Sequence, residues 1–193
     1  MKICLLRSAL ITFSLGWIHF AIFAQAGVGL NSPKIRWNQI ESEHYQVIFP
    51  EERYNDAQHV ANLIDLLLSN DSLVLQHPEV KIPIILQNQT VIPNGFVTLG
   101  PWRSEYNLTP PQFQFAGITP WLDMLTIHEY RHVQQVANAR VGWAGKLLRT
   151  VFGQGGWAFY NRAIQPQWFL EGDAVYAETI FSNGGRGRSP DFE

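Results

Sequence analysis

The chain has 193 residues and a formal net charge of −2, from 14 Lys and Arg against 16 Asp and Glu, so it lacks the basic excess that holds nucleic acid. Its one cysteine, Cys4, lies in the first segment, which rules a disulfide framework and a thiolate zinc site out of the rest. Residues 27–193 are enough for one domain with a sizeable core, and the full chain carries a heavy aromatic load of seven Trp, twelve Phe and six Tyr.

Lys2 and Arg7 form a basic start, Ile11 to Phe23 is largely apolar, and Ala24-Gln25-Ala26 offers small residues for cleavage. Residues 1–26 therefore read as a signal peptide, the apolar core being short for an anchor and interrupted by Ser14, Gly16 and His19. The expectation is export to a periplasmic, outer-membrane-associated or secreted location.

Ile35, Trp37, Ile40 and then Tyr45, Val47, Phe49 alternate with polar residues, which predicts early strands ending at Pro50. Glu51 to Asn70 carries Ala57, Val60, Ala61, Ile64, Leu67 and Leu68 on one side and reads as a helix. Ile82 to Leu86 is a short apolar run expected to be a central strand, and Gly95 to Gly100 is a further β-prone run. Phe96, Val97, Thr98 and Leu99 have two readings. They form an edge strand that an extended substrate could join, or an ordinary strand whose edge is covered by a loop over Pro101–Pro111.

The next helix decides the chemistry. Thr119 is the expected N-cap, Pro120 the first helical residue and Gly142 the stop. Between them stand His128-Glu129-Tyr130-Arg131-His132, with Leu122, Leu125, Val133, Val136 and Ala139 at helical spacing around them. Residues four apart on a helix lie one above the other, so both imidazoles project from one face and can bind one zinc ion. Glu129 stands beside them as the candidate general base toward water at that ion. A hydrolytic zinc site needs a third protein ligand. The metzincin continuation does not supply it, because Gln135 and Asn138 stand where that pattern has glycine and histidine.

Gly142 to Trp157 is aromatic, lightly basic and rich in glycine. It reads as a short helix and loop packed over the site, with glycines suited to a lid. The alternative is peripheral membrane contact through Trp143, Phe152 and Trp157, with Lys146, Arg149 and Arg162 near headgroups.

A second helix is expected from Pro166 to the Ser182–Gly185 run. It contains Trp168, Glu171, Gly172, Ala174 and Tyr176 in the order W-x-x-E-G-x-A-x-Y. On these residues and the paired histidines, the chain resembles the gluzincin zinc metallopeptidases. The resemblance implies an α+β, zincin-like fold: a small mixed sheet packed on the histidine helix, with Glu171 on a second helix as third ligand. It implies a metal set of His128, His132 and Glu171, one zinc ion, and peptide or protein substrates cut by water with Glu129 as base. Glu178, on the same face as Glu171, is the competing ligand or orients a histidine from behind. Asp173 is expected to be solvated or to orient a ligand. Gly172 would let the two helices approach closely.

The chain also resembles the amino-terminal part of longer exported bacterial proteins, in which a peptidase-like domain precedes a β-propeller. On that resemblance, residues 27–193 are a zincin-like domain cut short at its C-terminus, and the oxyanion-stabilising Tyr or His of gluzincins would fall beyond Glu193. The rival reading is a non-catalytic exported domain that keeps its metal for stability or partner binding.

Overall fold

A computed structural model of the protein describes residues 31–70, 81–112, 118–139 and 143–189. The chain divides into two units, Met1–Pro33 and Lys34–Glu193, and all the elements below belong to the second. The expected signal peptide lies outside the described residues.

Two strands open the domain, β1 (Trp37–Glu41) and β2 (Tyr45–Pro50), followed by a 3₁₀ turn over Glu51–Arg53 and helix α1 (Tyr54–Leu68). Strands β3 (Ile82–Gln87), β4 (Gly95–Leu99) and β5 (Trp102–Asn107) come next. Helices α2 (Trp121–Ala139), α3 (Trp143–Ile164) and α4 (Gln167–Phe181) follow, and a second 3₁₀ turn spans Arg186–Arg188. The five strands form one mixed sheet in the order β1-β2-β3-β5-β4. Strands β2, β3 and β5 run parallel, and the outer strands β1 and β4 are antiparallel to their neighbours. The protein is thus α+β, with β3 at the centre of its sheet.

Alternation explains which face is buried. Tyr45, Val47 and Phe49 on β2 and Ile82, Ile84 and Leu86 on β3 are all at most 1% exposed, and successive side chains on a strand point to opposite faces. This apolar face joins Ala57, Val60, Ala61 and Ile64 of α1 and Leu125, Ile127, Tyr130 and Val133 of α2 in one core. Burying one such Ile or Leu stabilises the fold by about 1.5–3 kcal/mol. Tyr45 adds a polar tie, its hydroxyl lying 2.8 Å from Asp65 Oδ1 and 3.0 Å from the Ala61 carbonyl on α1.

Four expectations are corrected here. Residues 102–107 are strand β5, inserted between β3 and β4, and not a loop covering the edge of β4. Its inward residues Trp102, Ser104 and Tyr106 are buried, while Arg103 and Glu105 pair with each other at 2.6 Å and Glu105 also accepts from Gln87 Nε2 at 3.0 Å. Helix α2 starts at Trp121, so Pro120 stands at the cap position and its carbonyl accepts from the Met124 N–H, while the Thr119 hydroxyl meets Ser182 Oγ. The expected stop, Gly142, lies outside the described residues. The segment expected as a short helix and loop is helical on both sides of a break at Gly153, where φ is 64° and ψ −151°, so α3 is two helical pieces that together reach Ile164. Finally, Gly172 is exposed and a Cβ there would meet nothing within 4 Å, so it is not the contact glycine between the helices. The small buried residues of α4 are Ala174 and Ala177.

No described helix is long and apolar enough to cross a membrane.

Candidate metal centre

Helix α2 carries its apolar residues toward the sheet, which leaves His128 and His132 on the side that faces α4 and the cleft. The two Nε2 atoms lie 3.1 Å apart. Glu171, near the start of α4, brings Oε2 to 3.3 Å from His128 Nε2 and 3.7 Å from His132 Nε2. Three potential ligand atoms therefore converge from two helices, and they are the described group able to hold a metal ion. Bonds of about 2.0–2.1 Å in a tetrahedron require donors about 3.3–3.4 Å apart. The observed edges bracket that value, so the donor set fits one small divalent ion with a fourth position facing the cleft.

Both histidines are held from behind. His128 Nδ1 lies 2.6 Å from Glu178 Oε1 and 2.8 Å from Arg186 Nη2, and Glu178 is fully buried in the last turn of α4. Arg186, on the turn after α4, donates from Nε to Glu178 Oε2 at 2.8 Å and from Nη2 to Oε1. That turn runs close against α4 because residue 185 is glycine: a Cβ there would sit 2.4 Å from the Glu178 carbonyl oxygen. His132 is held differently. Its Nδ1 lies 2.8 Å from Gln135 Oε1, and Gln135 Nε2 donates to the Leu170 carbonyl at 2.9 Å and to Asp173 Oδ2 at 2.8 Å. Arg131 then clamps Asp173 with two bonds of 2.8 and 3.0 Å. A neutral ring that carries its hydrogen on Nδ1 leaves the Nε2 lone pair for a metal.

The electrostatics follow from this packing. Burial pulls the His128 pKa down, but bonds to Glu171 and Glu178 outweigh it and raise it to about 9. Burial also works against ionised Glu178, and the adjoining Arg186 and His128 nevertheless hold its pKa below the usual carboxylate value. Glu171 is lowered by its contacts with the two histidines, burial opposing only in part.

Glu129 lies on the sheet side of this group, 5% exposed, and its buried Oε2 has no hydrogen-bond partner among the described residues. Burial raises its pKa, with the two histidines opposing. A desolvated carboxylate binds a proton more readily than one in water. Gly95 at the start of β4 makes the enclosure: a Cβ there would lie 2.6 Å from Leu125 Cδ1 and 2.9 Å from both Glu129 Cγ and Oε1.

A cleft of about 600 Å³ opens over the centre, lined by Phe96, Val97 and Leu99 of β4, Ala158 of α3, and Leu170 and Glu171 of α4, among others. β4 is the last strand of the sheet, so its outer edge presents backbone donors and acceptors along the cleft. Thr98 is not among the lining residues, and its hydroxyl turns to the Pro101 carbonyl.

The structure thus brings His128, Glu129, His132, Glu171, Glu178 and Asp173 into one cluster with the β4 edge beside it. Sequence reasoning missed Arg186, Gln135, Arg131 and Gly95. For Arg186 a signal existed: the Gly184-Gly185 pair permits a tight return onto α4, and the next residue is the cation that a buried glutamate needs. Trp168 and Tyr176, which match the W-x-x-E-G-x-A-x-Y pattern, are 75% and 58% exposed and do not line the cleft. No family model, curated protein sequence or solved structure matches the chain.

Proposed function

We propose that this is an exported zinc-dependent metallopeptidase of zincin-like, gluzincin-type architecture, with His128, His132 and Glu171 as ligands and Glu129 as general base. The observation that carries the reading is the triangle of two imidazole nitrogens and one carboxylate oxygen, with edges of 3.1, 3.3 and 3.7 Å, beside a desolvated fourth group. Zinc is favoured by two neutral imidazoles and one carboxylate in near-tetrahedral spacing. When bound, zinc supplies a Lewis acid that polarises a carbonyl and acidifies water.

The chain's own residues do the rest. An extended peptide pairs with the free edge of β4, which lays its backbone across the centre with side chains against Phe96, Val97 and Leu99. Glu129 takes a proton from the attacking water and delivers it to the leaving amine nitrogen. Gly95 and Leu125 keep bulk water from Glu129, and that enclosure raises its affinity for the proton it must carry. Glu178 and Gln135 hold the rings in the tautomer that ligation requires.

Metal analysis joined to cleavage of a peptide library tests the proposal. One zinc per chain is expected for wild type and for Glu129→Gln, with turnover lost only in the variant, by about 10²–10⁴-fold. A Glu129→Gln protein that cleaves as fast as wild type overturns the mechanism. Zinc bound at full stoichiometry by a wild type that cleaves nothing favours the non-catalytic metal-binding domain.

A second reading concerns where the chain acts, and one observation favours it. The first half of α3 leaves Trp143 80%, Leu147 54%, Val151 61% and Phe152 67% exposed, with Lys146 and Arg149 alongside and no acidic residue anywhere in the helix. An apolar stripe flanked by cations suits an anionic membrane surface. Co-sedimentation with anionic vesicles, lost on combined Trp143→Ala and Leu147→Ala, is the expected result. Equal binding by that variant removes the reading.

A further inference from the structure

We propose that Arg131, Asp173 and Gln135 are positioning residues that act as a relay, selecting the ring tautomer of His132 that can bind a metal. The inference rests on the metal-centre reading and deepens it.

A primary amide has two ends of nearly equal shape and opposite function: the oxygen only accepts and the nitrogen only donates. Which way Gln135 points therefore has to be settled by its neighbours. Two neighbours settle it. Gln135 Nε2 lies 2.9 Å from the Leu170 carbonyl oxygen and 2.8 Å from Asp173 Oδ2, and a carbonyl and a carboxylate can only accept. The amino end is pinned to α4, so the oxygen must face back toward α2, 2.8 Å from His132 Nδ1. An oxygen there requires Nδ1 to carry the hydrogen. A neutral imidazole has a single N–H, so Nε2 is left bare, directed at the Nε2 of His128 and the carboxylate of Glu171.

The reverse arrangement shows what the relay prevents. With the amide turned over, its NH₂ would face His132 Nδ1, the ring hydrogen would move to Nε2, and that atom could no longer ligate. Turning it over would also set the Gln135 oxygen against the Leu170 carbonyl and the Asp173 carboxylate, three acceptors with no hydrogen between them. Arg131 keeps Asp173 in place through its two bonds of 2.8 and 3.0 Å. Asp173 stands two residues beyond Glu171 on α4, and Arg131 one residue before His132 on α2. The same contacts that choose the tautomer therefore also set the helix carrying the third ligand against the helix carrying the first two.

The test reads the tautomer directly. Long-range ¹⁵N–¹H correlation spectra of the metal-free chain, taken at about pH 9 where an ordinary imidazole is neutral, should show His132 as Nδ1–H. In Asp173→Asn and Gln135→Leu the His132 signal should move toward Nε2–H. Zinc affinity, read by competition with a chromophoric chelator, should fall about 10–100-fold in both, with the far-ultraviolet circular dichroism spectrum unchanged. His132 found as Nε2–H in the wild-type chain overturns the relay, as do two folded variants that keep both the wild-type tautomer and the wild-type affinity. Should neither variant fold, the wild-type spectrum alone decides. Should the wild type bind no zinc, the metal reading falls while the spectrum still decides the relay.

Discussion

His128 and His132 are the same residue on the same face of one helix, yet they are held in place by opposite means. Behind His128 stands a charge: Glu178, fully buried, neutralised by Arg186. Behind His132 stands a neutral amide, with the charges of half-buried Asp173 and buried Arg131 further out. Carboxylates in direct contact favour the protonated ring, and Glu171 and Glu178 together raise the His128 pKa to about 9 despite burial. An amide oxygen chooses the tautomer without adding charge. The difference teaches that two candidate ligands on one helix face can be supported by a charge in one case and by a neutral amide in the other.

The largest expected effect breaks the charged support. Glu178→Ala takes the carboxylate from the half-buried Arg186 cation and the buried His128 ring, and should destabilise the metal-free fold by about 3–5 kcal/mol in urea unfolding. Gln135→Leu removes a buried but uncharged side chain, whose partner Asp173 keeps its bonds to Arg131, and should cost less, about 1–3 kcal/mol. If the two cost the same, the asymmetry between the supports is not real.

Gly95→Ala tests whether Glu129 stands apart from both supports. Overpacking against Leu125 and Glu129 should cost about 1–3 kcal/mol of stability. Turnover should drop while zinc affinity stays at the wild-type value. Weakened zinc binding in this variant would show that the base and the ligands are not separately positioned.

A pH series sharpens the contrast further. His128 has a folded-state pKa above the unfolded value of about 6.5, so its protonated form stabilises the metal-free chain. That contribution is complete below about pH 6.5 and is lost as the pH rises through about 9. Glu171 and Glu178 are lowered, and their contribution is lost in acid. Metal-free stability should therefore be highest between these limits, and Glu178→Ala should flatten the alkaline decline. With zinc the trend on that side reverses, since the ion needs the unprotonated ring. Zinc-dependent stabilisation should grow from pH 6.5 toward 9. Unfolding midpoints at four pH values, with and without zinc, decide this.

The smallest effect is expected from Trp168→Ala. This ring is 75% exposed and packs edge-on against Phe169, at a centroid distance of 6.0 Å. The change should move stability by less than about 0.5 kcal/mol and leave zinc binding intact.

What could be read from the residues alone was whatever depends on local period. The alternation of Tyr45, Val47 and Phe49, the apolar run of β3, the amphipathic α1 and the stacked His128 and His132 all follow from strand and helix repeats that the backbone imposes on any sequence. β5 was hidden because Arg103 and Glu105, which look like loop residues, satisfy each other and Gln87 across the sheet. Tertiary structure alone decided what Glu171, Glu178, Gln135, Asp173 and Arg186 do. Glu178, Gln135, Asp173 and Arg186 each contribute through an oxygen or nitrogen within about 3 Å of a partner, the range in which hydrogen bonds form, and Glu171 through an oxygen 3.3 and 3.7 Å from the two histidine nitrogens. That placement depends on how α4 lies against α2, and helix packing is a property of two surfaces meeting that neither segment encodes by itself.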